Sequence, residues 1–260
     1  MKPLDGITVL VTRPQAQAES LALAIEKEGG IAIRAPMLII GRLKDDQTDS
    51  QLVAGLADFD IAIFVSKNAA ECGVEIVEEQ GQPLDGLKIF AVGLGTAGRL
   101  RELGVAEVEA PSSEFSSEGL LRLDGLAEAQ VTDKRILIFR GTDGRGHLAK
   151  TLERRGAEVV YCECYERRKS EIVLVDILKD YDVKVPDIGL ATSIEALDNL
   201  ASKIEDEGID HLFDMPMLVV SSRVGQEVES FGFTNPPLVV EKPADESIIK
   251  QLINWANDEI

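Results

Sequence analysis

Cysteine is scarce in this chain, with three in 260 residues. An odd number supplies no disulfide framework. Cys162 and Cys164 are spaced to share one face of a strand, with no histidine or third thiol beside them. Buried thiols in a reducing compartment fit that pattern better than a metal site. Histidine is scarcer still: His147 and His211 are the only two, neither has an evident partner, and a surface or helix-start role suits both. No phosphate-binding P-loop, no G-x-S-x-G nucleophile elbow and no cluster of metal ligands occurs. No apolar run approaches the roughly 18–20 residues of a membrane span. The opening MKPLDGITVLVTRP has neither the apolar core nor the small-residue cleavage site of a secretory signal. The expectation is a cytoplasmic protein with no membrane partner. Positive charge is also short: 27 Lys and Arg face 46 Asp and Glu, a formal net charge of −19, so nucleic acid is a poor partner.

What the chain does have is an echo of itself. Residues 7–40 slide onto 134–167 without a gap, placing Leu10 on Leu137, Arg13 on Arg140, Glu26 on Glu153 and Gly29 on Gly156. The offset is 127 throughout, for example 140 − 13 and 156 − 29. The same slide places Asp60 on Asp187, Ser66 on Ser193 and Val92 on Val219, before the register drifts near Leu103. A period of this size far exceeds the roughly 20–50 residues of a solenoid repeat and describes a duplicated domain.

The elements alternate. ITVLV (7–11) is a continuous apolar run, as expected of a parallel strand covered on both faces. Thr12-Arg13-Pro14-Gln15 marks a helix start with Thr12 as its cap, and Gly29-Gly30 a helix stop. IAIRAPMLII reads as one second strand, FDIAIFV and KIFAV as two more, and VAEVEAP as a fifth, with helices after Ser66, after Gly93 and around Glu118 to Leu123. The second copy repeats the order through ILIF, AEVVYCECY, DIGLAT, MLVV and PLVVEKP before a final helix, SIIKQLINWA. Alternation of this kind predicts an α/β protein of two doubly wound, flavodoxin-like domains, each with about five parallel strands. The pattern leaves the pairing open: two sequential domains split near residue 130, or an interleaved arrangement.

In such sheets ligands sit beyond the carboxyl ends of the strands, where helix N-termini present unpaired N–H groups. The positions here are Thr12, Ser66, Thr96, Gly141 to Gly146, Ser193 and Ser222, with Arg13, Arg140, Arg145 and Arg223 beside them. Each hydroxyl taken singly is well explained as a cap, but several such ends together suit a ligand with many carboxylates or phosphates. Gly93-x-Gly95-x-x-Gly98 follows a strand and formally fits the dinucleotide fingerprint, which makes an NAD-binding enzyme one alternative. The helix after it is short, however, and the second copy reads Val220-x-Ser222-x-x-Gly225. Tyr165 leaves its strand beside Arg167 and Arg168, so it is expected not to be wholly buried.

In this order, VLVTRPQAQAESLALAIEKEGGIAIRAP, FDIAIFVSKNAAECGV, KIFAVGLGTAGRLRELG, SSEGLL, ILIFRGTDGRGHLAKTLERRGAEVVYCECYERR and DIGLATSIEALDNL resemble the uroporphyrinogen-III synthase family of tetrapyrrole synthesis, over essentially the whole chain. The resemblance implies a discontinuous domain of residues 1–38 and 170–260, an inserted domain of 42–166, and a two-strand hinge with connectors at 39–41 and 167–169. It implies a monomeric lyase without metal or organic cofactor, in which hydroxymethylbilane, the small-molecule partner, is dehydrated and closed with inversion of its terminal pyrrole ring in a cleft between the domains. Transient contact with neighbouring pathway enzymes is implied too. Tyr165 matches the family's functional tyrosine, and Ser66 and Thr96 match hydroxyls of its cleft. Arg13, Arg140, Gly141, Arg145, Ser193, Ser222 and Arg223 complete the expected substrate-binding set. One departure stands out: where the family commonly has a Gly-Pro-x-Thr-like turn, this chain has Ser221-Ser222-Arg223-Val224. A noncatalytic relative that binds a tetrapyrrole or another polyanion is the second alternative.

Overall fold

The structure is a computed structural model and describes residues 2–43, 47–142, 144, 146–240 and 244–259. The described residues form ten strands: β1 Thr8–Val11, β2 Ile31–Arg34, β3 Leu38–Arg42, β4 Ile61–Phe64, β5 Lys88–Ala91, β6 Arg135–Gly141, β7 Glu158–Lys169, β8 Ile188–Ala191, β9 Met217–Val219 and β10 Leu238–Val239. They form two five-stranded sheets, in the orders β10-β9-β8-β1-β2 and β3-β7-β6-β4-β5. The chain divides into two compact units, Met1–Ile39 with Arg168–Ile260, and Ile40–Arg167. A sequential split near residue 130 does not describe this pairing, since β1 lies between β2 and β8, and β4 between β5 and β6.

In the first unit, alternate residues of one strand feed different cores. Leu10 packs with Ile33, Ala191, Leu197, Leu200 and Met217 on one face of the sheet. Val9 and Val11 pack with Leu21, Ile25, Leu190, Ile248 and Leu252 on the other. The helices Ile194–Glu207, Gln15–Lys27 and Asp245–Glu259 supply those partners, which is why ITVLV carries no polar alternation. Each such fully buried aliphatic chain contributes about 1.5–3 kcal/mol by leaving water.

The second unit is built likewise. Phe64 and Phe139 stack at 4.5 Å between centroids on one face, with Ala62, Leu137 and Cys162. Ile61, Ile63, Ile136 and Ile138 cover the other face with Leu148 and Leu152. Cys162 and Cys164 are buried thiols that form no disulfide, and His147 and His211 are exposed.

Three expected elements differ. IAIRAPMLII is not one strand: Ala35 and Met37 still donate to Val11 and Thr12 of the first unit, Pro36 has no N–H to give, and from Leu38 the chain enters the other sheet as β3. VAEVEAP forms a single parallel bridge, Phe90 to Glu109, instead of a fifth strand: it lies at the sheet edge, and between Val105 and Ala110 only Val108 is buried. The helix expected around Glu118 to Leu123 is one turn, Ser117–Leu120. A helix the pattern does not announce, Leu174–Asp180, is capped from 33 and 32 residues away by the Glu207 carboxylate, which accepts from the N–H groups of Leu174 and Val175 at 2.8 and 2.7 Å.

Candidate active site

In the second unit, β4, β6 and β7 end side by side. β4 runs into Val65 and Ser66, and the Ser66 hydroxyl caps the helix Lys67–Glu79 by accepting from Ala69 N–H at 3.1 Å. The ladder between β6 and β7 pairs Arg140 with Glu163 and then slips, so that Gly141 lies opposite Tyr165 and Cys164 is skipped. A register shift of this kind re-aims side chains at the end of a sheet. Thr142 N–H donates to the Tyr165 carbonyl at 3.1 Å and holds the shifted register.

The slip brings the Tyr165 ring onto Gly141. A Cβ at residue 141 would lie 2.8 Å from two carbons of that ring, so only glycine leaves the ring this place. The Tyr165 hydroxyl is 3.1 Å from Ser66 Oγ. Ser66 already accepts one hydrogen bond, and two hydroxyls share one bond here, so one hydroxyl proton remains for a third group. Tyr165, Val65, Gly141, Thr142, Gly144 and Arg167 line a pocket of about 120 Å³. That volume takes a hydroxymethyl group or one carboxylate, well short of the roughly 300–1,000 Å³ of a whole small-ligand site.

Tyr165 is 5% exposed, so the expectation that it would not be wholly buried fails. The reason is the slip, which turns its ring inward against Gly141. Arg140 is 6% exposed. Its Nε donates to Gly141 O at 2.9 Å, its guanidinium carbon lies 4.5 Å from the centre of the Tyr161 ring, and Glu163 Oε1 stands 3.7 Å from Nε. Arg140 therefore holds the Gly141 peptide in place.

Of the other candidates, Thr96 also belongs to the second unit. Thr96 is buried within the helix Leu94–Glu102 instead of capping it; Gly93 occupies the cap position. An added Cβ would lie 3.1 Å from Phe115 at Gly93 and 3.0 Å from the Lys67 side chain at Gly95, whereas Gly98 has nothing within 4 Å. In the first unit Thr12 does not cap: its hydroxyl donates to Leu190 O at 2.6 Å, and the helix begins after Pro14 with no side-chain cap bond. Arg13 is buried against Asp245 at 2.6 Å. Ser193 caps the helix Ile194–Glu207, accepting from Ala196 N–H at 3.1 Å. The cap in the last turn is Ser221, which leaves Ser222 and Arg223 exposed on a four-residue helix. Arg145 lies outside the described residues. Val65, Thr142 and Gly144 line the pocket without being singled out individually by the sequence, although Thr142 and Gly144 fall in the glycine-rich turn, and Arg167 enters the sequence reading only as a neighbour of Tyr165.

Among the described residues no group of three or more His, Cys, Asp or Glu could hold a metal ion, and no helix is long and apolar enough to cross a membrane. Burial pushes the Cys72 thiol up to about 12, so it is a poor nucleophile at neutral pH.

Two solved structures share the fold: a mutant uroporphyrinogen III synthase from the extremely thermophilic bacterium Thermus thermophilus, with TM-score 0.59 and 15% identity over 98% of this chain and 100% of that one, and uroporphyrinogen-III synthetase from Helicobacter pylori 26695, with TM-score 0.57 and 16% identity over 96% and 99%. The uroporphyrinogen-III synthase of Escherichia coli (strain K12) is 28% identical over 229 residues, 87% of this chain and 92% of that protein. That of Proteus mirabilis is 33% identical over 162 residues, 62% of this chain and 80% of that protein. A family model described as uroporphyrinogen-III synthase HemD matches residues 19–250, so the chain belongs to the uroporphyrinogen-III synthase family.

Proposed function

We propose that this chain acts as a uroporphyrinogen-III synthase, converting hydroxymethylbilane to uroporphyrinogen III by loss of water and ring closure with inversion of the terminal pyrrole. The observation that carries this reading is the match to the family model over residues 19–250, in a chain whose Tyr165 hydroxyl stands beside Ser66 at a pocket sized for one small group.

The reaction removes one molecule of water and changes no oxidation state overall, so its chemistry requires no redox cofactor. Tyr165 gives its proton to the departing hydroxyl; the carbon–oxygen bond breaks, water leaves, and the pyrrole nitrogen supplies the electron pair that stabilises the remaining methylene carbon. Closure then depends on which carbon of the terminal ring reaches that methylene, a matter of positioning. Helix N-termini capped by Ser66 and Ser193, and the one that contains Thr96, suit substrate carboxylates in a protein of net charge −19. Arg13 and Arg140 act by holding their βα turns, and Arg223 and Ser222 offer exposed groups.

The same reading takes residues 1–38 with 170–260 and residues 42–166 as the two domains, with 39–41 and 167–169 as hinge connectors. The compact units and the two strands that pass between them, β3 and β7, support it. It also makes the protein a cytoplasmic monomer with transient contacts to neighbouring pathway enzymes, which agrees with three cysteines that form no disulfide.

The test is to add hydroxymethylbilane, oxidise the product and separate the isomers. Uroporphyrin III is expected. Uroporphyrin I at the uncatalysed rate, with or without protein, would remove the enzymatic reading and leave a noncatalytic binder.

A further inference from the structure

We infer that Ser66 is a positioning residue for Tyr165: it fixes the tyrosine hydroxyl through a relay that starts at a helix N-terminus. This rests on the proposed role of Tyr165 and adds to it a defined source of orientation.

The relay has three members. Ala69 N–H, in the first turn of the thirteen-residue helix Lys67–Glu79, donates to Ser66 Oγ at 3.1 Å. Ser66 Oγ meets the Tyr165 hydroxyl at 3.1 Å. A hydroxyl that accepts from an N–H becomes a better donor, because chained hydrogen bonds polarise one another. The positive end of the helix acts in the same sense. Ser66 is therefore set to donate to Tyr165, which leaves the phenolic proton for the group in the pocket. The tyrosine ring has little freedom to find that geometry otherwise, since Gly141 lies against one side of it.

The molecule carries its own comparison. Ser193 is the repeat equivalent of Ser66 (193 − 66 = 127) and makes the same cap, accepting from Ala196 N–H at 3.1 Å. Leu38 is the repeat equivalent of Tyr165 (165 − 38 = 127) and has no hydroxyl to orient. Capping alone thus accounts for the serine in the first unit, while the second unit uses the identical cap and adds a partner.

A double-mutant cycle on the full chain reads this directly. S66A should lower kcat about 10-fold with KM within about 2-fold, and S66T, which keeps the hydroxyl, should restore most of the rate. In the Y165F background S66A should cost less than about 2-fold more, because its target is already gone. An equal loss in both backgrounds would overturn the inference in favour of a direct substrate contact at Ser66. A loss in S66A with none in Y165F would overturn it together with the acid role of Tyr165. A second readout does not depend on activity: in protein labelled with carbon-13 at tyrosine Cζ, the Tyr165 resonance, identified by its absence in Y165F, should move in S66A and stay in S66T. An unmoved resonance would overturn the contact even if the wild type makes uroporphyrinogen III. A moved resonance in a protein that makes none would retain the contact and reject only the enzymatic reading.

Discussion

The two copies agree at one end of their strands and disagree at the other. At the N-terminal ends, Asp187 accepts from Thr8 N–H at 2.7 Å and Asp60 accepts from Arg135 N–H at 3.0 Å, so that in each unit equivalent contacts pin a strand of one copy to its neighbour from the other. The first helices also end in step, at Lys27 and Arg154 (154 − 27 = 127), and each is followed by a left-handed glycine, Gly29 or Gly156. Their starts differ. The first copy begins its helix at Gln15, straight after Pro14, with the turn closed by the Arg13–Asp245 ion pair. The second begins at His147, five residues later in register (147 − 127 = 20, against 15), and Gly141 stands where the first copy has Pro14. Helix given up in the second copy is where the pocket and Tyr165 are found. Duplication supplied a stable frame, and divergence at the carboxyl ends of the strands left one of the two units with a pocket beside Tyr165.

The residue that most separates the copies should give the greatest loss. Tyr165→Phe should lower the rate by roughly 10- to 1000-fold at saturating substrate, the scale of one positioned donor, while isomer III remains the product. Initial rates with product chromatography check it, and an unchanged rate would return Tyr165 to packing alone. Gly141→Val, which carries a side chain where the first copy has one, should drive the Tyr165 ring away and cost about 1–3 kcal/mol of stability as well as activity. Urea unfolding and rates on the same sample would show both losses; a normal rate would mean the ring position is unimportant.

The closed turn of the first copy can be opened with a milder change. Asp245→Asn should destabilise the first unit by about 1–2 kcal/mol, since it takes the charge from one partner of the Arg13 guanidinium, whose side chain is 10% exposed. A midpoint unchanged in urea would show that the ion pair does not hold the turn.

The shared end of the copies should respond least. At Asp60, Lys134 at 2.7 Å and then Arg135 N–H hold the carboxyl below its ordinary range. A depressed folded-state value means stability that is fully present above about pH 4, the unfolded range, and is lost as pH falls through the lowered value. The group is largely exposed, so Asp60→Asn should cost only a few tenths of a kcal/mol to about 1 kcal/mol at pH 7, with the gap from wild type closing in acid. A gap that stayed constant down to about pH 3 would reject the linkage.

Several of these features are legible in the chain and others are not, for identifiable reasons. Ser66 and Ser193 announce themselves because a cap is a local event: serine, then a helical run. Thr12 misleads because the nearest good acceptor, Leu190 O, lies 178 residues away. The helix Leu174–Asp180 is invisible because its cap is Glu207. Tyr165 is legible as a residue but not as a buried one, since the one-residue slip between Arg140 and Gly141 leaves no mark in the pattern of β7.

The duplication, the α/β alternation and the family are properties of the amino-acid order alone, because they rest on periodicity and spacing that each segment carries within itself. Which strands pair, where Ile31 to Arg42 breaks between two sheets, and which of the matched hydroxyls meet were settled only when the chain folded. Those outcomes depend on groups tens to hundreds of residues apart competing for the same hydrogen bonds and the same buried space, and no local pattern encodes the winner.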